Sequence, residues 1–120
     1  MANLLVHVTT GPEDPTKAAL AFLVAATAVK EAYSVNMFIA GDGVSLFKPE
    51  VVSSLEGKGT GQLQAHLAVI KASGARIYLS GMSAKSRGLD ETILQGHPAE
   101  FAMPDVLVRL VMESDKVLVY

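Results

Sequence analysis

Arg76-Ile77-Tyr78-Leu79-Ser80-Gly81-Met82-Ser83-Ala84-Lys85-Ser86-Arg87-Gly88-Leu89 is the stretch whose reading decides the fold of this 120-residue chain. It runs from a short apolar strand (Arg76 to Leu79) through a turn of small residues into a basic helical start. In α/β proteins, ligands sit beyond the carboxyl ends of such strands, where the N–H groups of a helix start favour anions.

Working backward, Gln62 to Ser73 carries Leu63, Leu67 and Ile70 at i, i+4 and i+7, which predicts a helix, and Gly74 suits its C-terminal end. Val35 to Ala40 reads as a buried strand closed by Gly41-Asp42-Gly43. Val44 to Leu55, around Pro49, predicts one or two short helical turns. Gly57, Gly59 and Gly61 predict a mobile loop. Nearer the start, Asn3 to Thr9 is a buried strand ending in Thr10-Gly11-Pro12, and Pro15 opens a helix to about Ala32. That helix is apolar all round between Ala18 and Ala26, which predicts a second covering surface from a neighbouring subunit.

Forward of the turn, Ser83 to Leu94 predicts one or two short helices. Ala99 to Ala102 reads as a brief strand. Met103-Pro104-Asp105 opens a helix to about Glu113 with Val106, Leu107, Leu110 and Val111 on one face, and Lys116 to Tyr120 is a terminal strand. Alternating strands and helices with short connections predict one α/β domain over residues 1–120, with a mostly parallel sheet and helices on both faces.

Half the residues are hydrophobic and only 18% charged, a balance that predicts some surface buried against another subunit. A net charge of −2 without a basic tail argues against nucleic acid and anionic membranes. The longest apolar run, Ala18 to Ala26, is less than half a membrane span, and the N-terminus shows no secretory pattern, so the expectation is a soluble cytoplasmic protein. There is no cysteine, which removes disulfides, thiolate catalysis and iron–sulfur ligation.

Two glycine clusters invite a nucleotide reading and fail it. Gly41-Asp42-Gly43-Val44-Ser45-Leu46 has leucine where a dinucleotide fingerprint needs its third glycine, and Gly57-Lys58-Gly59 has glycine where a P-loop needs Ser or Thr. Both are turns on this reading. His7, His66 and His97 have no local ligand spacing, so no metal site is predicted, and His7 is expected to be a hydrogen-bonded core residue. No cofactor is expected. Asp42 is a polar candidate just beyond a strand end, though aspartates in such turns commonly bond nearby amides.

The Ser80 segment admits two readings. In one, a small anionic ligand is held by amides near Gly81, Met82 and Ser83, by the Ser80 and Ser83 hydroxyls, and by Lys85 or Arg87. In the other, the serines cap a tight strand-to-helix connection and the basic residues face solvent.

The order of segments resembles the DsrE/DsrF-like (YchN-like) family from end to end. The resemblance rests on Leu4 to Thr9, Phe38-Ile39-Ala40-Gly41-Asp42-Gly43-Val44, Gly74 to Gly81, Arg87-Gly88-Leu89 and Ser114-Asp115-Lys116-Val117-Leu118-Val119-Tyr120. It implies a three-layer α/β/α sandwich around about five mainly parallel strands, and assembly as a homo-oligomer, a trimer or a hexamer. In sulfur-transferring members the position of Ser80 is a cysteine that carries a persulfide. A hydroxyl does not supply that chemistry. The resemblance therefore implies a small-ligand-binding or partner-binding module near sulfur metabolism. The alternatives are an enzyme with a polar pocket around Ser80, and a structural subunit of a sulfur-relay hetero-oligomer whose partner supplies the cysteine.

Overall fold

In the computed structural model, which describes residues 2–120, strands and helices alternate along the chain. They are β1 (Asn3–Val8), α1 (Pro15–Lys30), β2 (Ser34–Ile39), a 3-10 helix over Gly41–Phe47, α2 (Pro49–Ser54) and the two-residue strands β3 (Glu56–Gly57) and β4 (Gly61–Gln62). Then come α3 (Leu63–Ala72), β5 (Arg76–Ser80), α4 (Gly81–Ser86), a 3-10 turn over Glu91–Leu94, β6 (Ala99–Ala102), α5 (Pro104–Glu113) and β7 (Lys116–Val119).

Five strands form one sheet in the order β6-β5-β2-β1-β7, and every neighbouring pair is parallel. The chain steps in one direction from β1 through β2 and β5 to β6, then returns across the whole sheet to place β7 beside β1. Right-handed connections made in opposite directions put their helices on opposite faces. The main core accordingly lies between the sheet and α1 to α3, built on Val6, Val8, Met37, Ile39, Ile77 and Leu79. On the other face α5 alone packs Val106, Leu107 and Leu110 over Leu5, Phe38, Tyr78 and Ala102.

Helix α1 starts where Asp14 Oδ1 accepts the N–H of Lys17 at 3.2 Å, with Pro15 in the first turn. Ala18, Ala19, Ala21, Phe22, Ala25 and Ala26 are buried, and the small alanines let the sheet and α3 approach closely. The expectation that another subunit covers α1 is corrected in part: α3 and the β3–β4 hairpin cover one side from within the chain, whereas Leu23, Val24 and Ala28 stay half-buried beside an apolar cleft that Leu4 also lines.

That hairpin corrects a second expectation, because the Gly57 to Gly61 segment is an ordered antiparallel turn with Glu56 opposite Gln62 and Gly57 opposite Gly61. It is clasped to α1. Lys58 donates its N–H to Thr16 Oγ1 at 3.1 Å, and Thr60 Oγ1 donates to the Thr16 carbonyl at 3.0 Å. Glycine is needed because Gly59 and Gly61 have φ of 77° and 83°, and because a Cβ on Gly57 would lie 2.9 Å from the Ala19 Cβ.

The predicted face of α5 is also adjusted. Val111 does not join Val106, Leu107 and Leu110 against the sheet but is exposed, forming with Val108 and Met112 a second apolar stripe that points outward. The edge strand β7, paired with β1, also has all four of its residues exposed.

Candidate functional site

Three turns meet at the carboxyl ends of the central strands, those after β1, β2 and β5. Ser80 closes β5 opposite Ala102 of β6, and its side chain turns back to accept the N–H of Ser83 at 3.1 Å. This is a helix N-cap. Ser80 is only 8% exposed. At Gly81 the backbone passes close to the start of α5, since a Cβ there would lie 3.8 Å from both Met103 Sδ and Phe101 Cβ. Met82 and Met103 flank the turn as exposed apolar side chains.

Ser83 reaches the neighbouring turn, where its Oγ accepts the N–H of Gly41 at 2.9 Å. Four residues on, Arg87 Nη2 donates to Asp42 Oδ1 at 2.8 Å, while Nη1 donates to the Ser83 carbonyl at 3.1 Å. The ion pair is open to water, with side chains 31% and 64% exposed for Arg87 and Asp42. Lys85 is exposed and takes part in none of the ion pairs among the described residues.

The turn after β1 joins the same cluster. Gly11 donates its N–H to Glu13 Oε2 at 3.0 Å and lies so close to the Asp42 carbonyl that no Cβ fits there. Gly41 has a φ of 57°, and a Cβ on Gly43 would stand 2.9 Å from the Val8 carbonyl oxygen. The Gly-Asp-Gly spacing thus reflects a tight crossing of the two turns. Gly11 and Glu13 belong to the cluster although their sequence reads as an ordinary loop. Thr10-Gly11-Pro12 signals a turn, but nothing local says which neighbour it meets.

The cluster therefore gathers Asp42, Ser80, Gly81, Ser83 and Arg87, leaves Met82 and Lys85 at its rim, and adds Gly11 and Glu13. Both serine hydroxyls accept backbone N–H groups, and the arginine is engaged by Asp42. Among the described residues no imidazole, amine or carboxylate bonds the Ser80 Oγ, whose one side-chain bond is the cap to Ser83. Its groups mainly fix one another.

The histidines are separate. His66 Nε2 lies 2.7 Å from the Thr60 carbonyl and steadies the hairpin. His97 packs edge-on to Phe47 at 5.2 Å. His7 departs from expectation: it is half-buried, edge-on to Phe38, and its buried Nε2 has no hydrogen-bond partner. Burial alone lowers its pKa. On the sheet its register neighbours are Phe38 of β2 and Val119 of β7, whose side chains are apolar. Among the described residues no group of three or more His, Asp or Glu is placed to hold a metal ion, and no helix is long and apolar enough to cross a membrane.

The profile of the DsrE/DsrF-like family matches residues 2–120. The chain belongs to the DsrE/DsrF-like family. In fold this DsrE/DsrF-like protein is similar to the crystal structure of the YchN protein from E. coli, with a TM-score of 0.80 at 17% identity over 100% of both chains. It is also similar to a conserved protein of unknown function from Bacteroides thetaiotaomicron, with a TM-score of 0.71 at 15% identity over 98% of this chain and 94% of the other. At those identities the likeness carries the fold. Among curated proteins none matches the sequence.

Proposed function

We propose that this DsrE/DsrF-like protein is a homo-oligomeric binding module near sulfur metabolism that does not itself carry sulfur. The reading rests on one observation. Of the nine large hydrophobic side chains left exposed among the described residues, all but Tyr33 lie on α5, on β7 or beside the Ser80 turn. Met112 is 79% and Val119 66% exposed, and Val108, Val111, Val117, Met82 and Met103 accompany them, while Leu118, opposite Val6, lies on the α1 side of the sheet. Apolar surface concentrated in this way marks an association face.

This reading adds α5 and β7 to the half-exposed apolar side of α1, around Leu23 and Val24, as the surface for self-association. Met82 and Met103 carry it to the mouth of the Ser80 turn, so a second copy docked there would wall one side of the cluster. With no cysteine in the chain, a persulfide has no thiol sulfur to form on. With no base on Ser80, the cluster suits binding better than covalent chemistry. A cysteine-bearing protein of a sulfur relay is the partner that the family resemblance supports, and a small anion is the ligand.

Light scattering tests the assembly. The wild-type chain is expected at three or six times its 12.6 kDa mass, and Val108→Glu or Met112→Glu at that of a monomer. A monomeric wild type at micromolar concentration, or charge variants that keep the wild-type mass, would overturn the proposal.

A further inference from the structure

A cleft of about 200 Å³ lies between α2, α3 and the turn that precedes β6, and none of its lining residues belongs to the Ser80 cluster. Val52 and Leu67 form an apolar floor with the exposed Ala68 at its rim, while Gln64, Lys71 and His97 supply the polar groups. Gln64, Ala68 and Lys71 follow one another on α3 at intervals of four and three, so they line one face of the helix. His97 arrives from the opposite wall. Gly96, with a φ of 82°, makes the turn, the His97 N–H donates to the Leu94 carbonyl at 3.1 Å, and the ring rests edge-on against the buried Phe47.

Lys71 and His97 are close enough to feel each other. Burial first, and the Lys71 charge second, lower the His97 pKa. None of the three ion pairs among the described residues includes either residue. The cleft thus presents an ammonium, an imidazole and a carboxamide over an aliphatic floor, with no carboxylate among its lining residues. An anion would meet charge-assisted donors there. A bare inorganic ion would leave the aliphatic floor unused, whereas an anion with a short hydrocarbon tail uses both.

We propose that the cleft formed by Val52, Gln64, Leu67, Ala68, Lys71 and His97 binds a short aliphatic carboxylate, its head on Lys71 and His97 and its tail on the apolar floor. The volume falls below the usual range of drug-sized pockets, which limits the ligand to roughly four or five carbons. The site stands independently of the assembly surface.

Butyrate is the probe, titrated into the full chain while the His97 ring resonances are followed by NMR. A saturable shift with a Kd of about 1–10 mM is expected, and the His97 pKa should rise when the site is filled because the carboxylate favours the imidazolium. Lys71→Gln, a change at an exposed position, should weaken binding about tenfold. Butanol, which has the tail without the charge, and sulfate, which has charge without a tail, should each bind several-fold more weakly. No saturable shift, equal binding of butanol or sulfate, or unchanged affinity in Lys71→Gln would each overturn the assignment.

Discussion

Ser83 Oγ accepts the backbone N–H of Gly41 at 2.9 Å, tying the turn after β5 to the turn after β2. A second link joins the same two turns, the Arg87–Asp42 ion pair at 2.8 Å. The first is partly buried and answers a backbone donor, while the second lies in water.

The two links should differ in worth. Removing the Ser83 hydroxyl leaves the Gly41 N–H without its acceptor, which costs about 1–3 kcal/mol when the group is desolvated. An exposed ion pair contributes about 0–1 kcal/mol. Thermal melts should therefore show Ser83→Ala several degrees below wild type and Asp42→Asn close to it. If Asp42→Asn proves the more damaging of the two, the charged link is the one that holds the turns.

Ser80→Cys puts a thiol at the turn. Ser80 is almost enclosed, so despite its position at a helix start the cysteine should react with iodoacetamide more slowly than one at the exposed Ser86 position. Mild urea should abolish the difference by opening the turn. Alkylation of folded Ser80→Cys as fast as that of Ser86→Cys would mean that the turn is open to ligands in a way the enclosure of Ser80 does not allow.

Stability should fall in mild acid because of two histidines. Burial lowers the pKa of both His7 and His97 from the ordinary value of 6.5. Below that value the unfolded chain takes up protons that the folded one still refuses, so stability is full above pH 6.5 and declines as the pH drops toward the lowered folded values. His7→Phe removes the unpartnered Nε2 and keeps an aromatic ring against Phe38. Its urea midpoint should change less than that of wild type between pH 7.5 and 5.5, and an identical change in the two proteins would dismiss His7 as a contributor.

Much of this architecture is legible in the linear pattern. The apolar runs at Asn3, Val35 and Arg76, the prolines at Pro15 and Pro104, and the glycine at Gly74 mark strands, helix starts and a helix end through interactions within a few residues. The strand-to-helix turn at Ser80 belongs to the same class, since a small polar residue between an apolar run and a helix is a local capping signal.

Short-range signals alone determined, from the sequence, which segments are strands and helices, and where the candidate turn lies. Tertiary structure decided which segments meet. Asp42 and Arg87 are 45 residues apart and pair only because β2 and β5 are neighbours in the sheet. Ala18, Ala19, Phe22 and Ala26 of α1 find cover within the chain because the sheet, the hairpin and α3 pack around that side of the helix, whereas Val108, Val111 and Met112 are left outside because α5 crosses the second face alone. Hydrophobicity says that a residue prefers burial, but strand order and the handedness of the connections determine which side chains find cover.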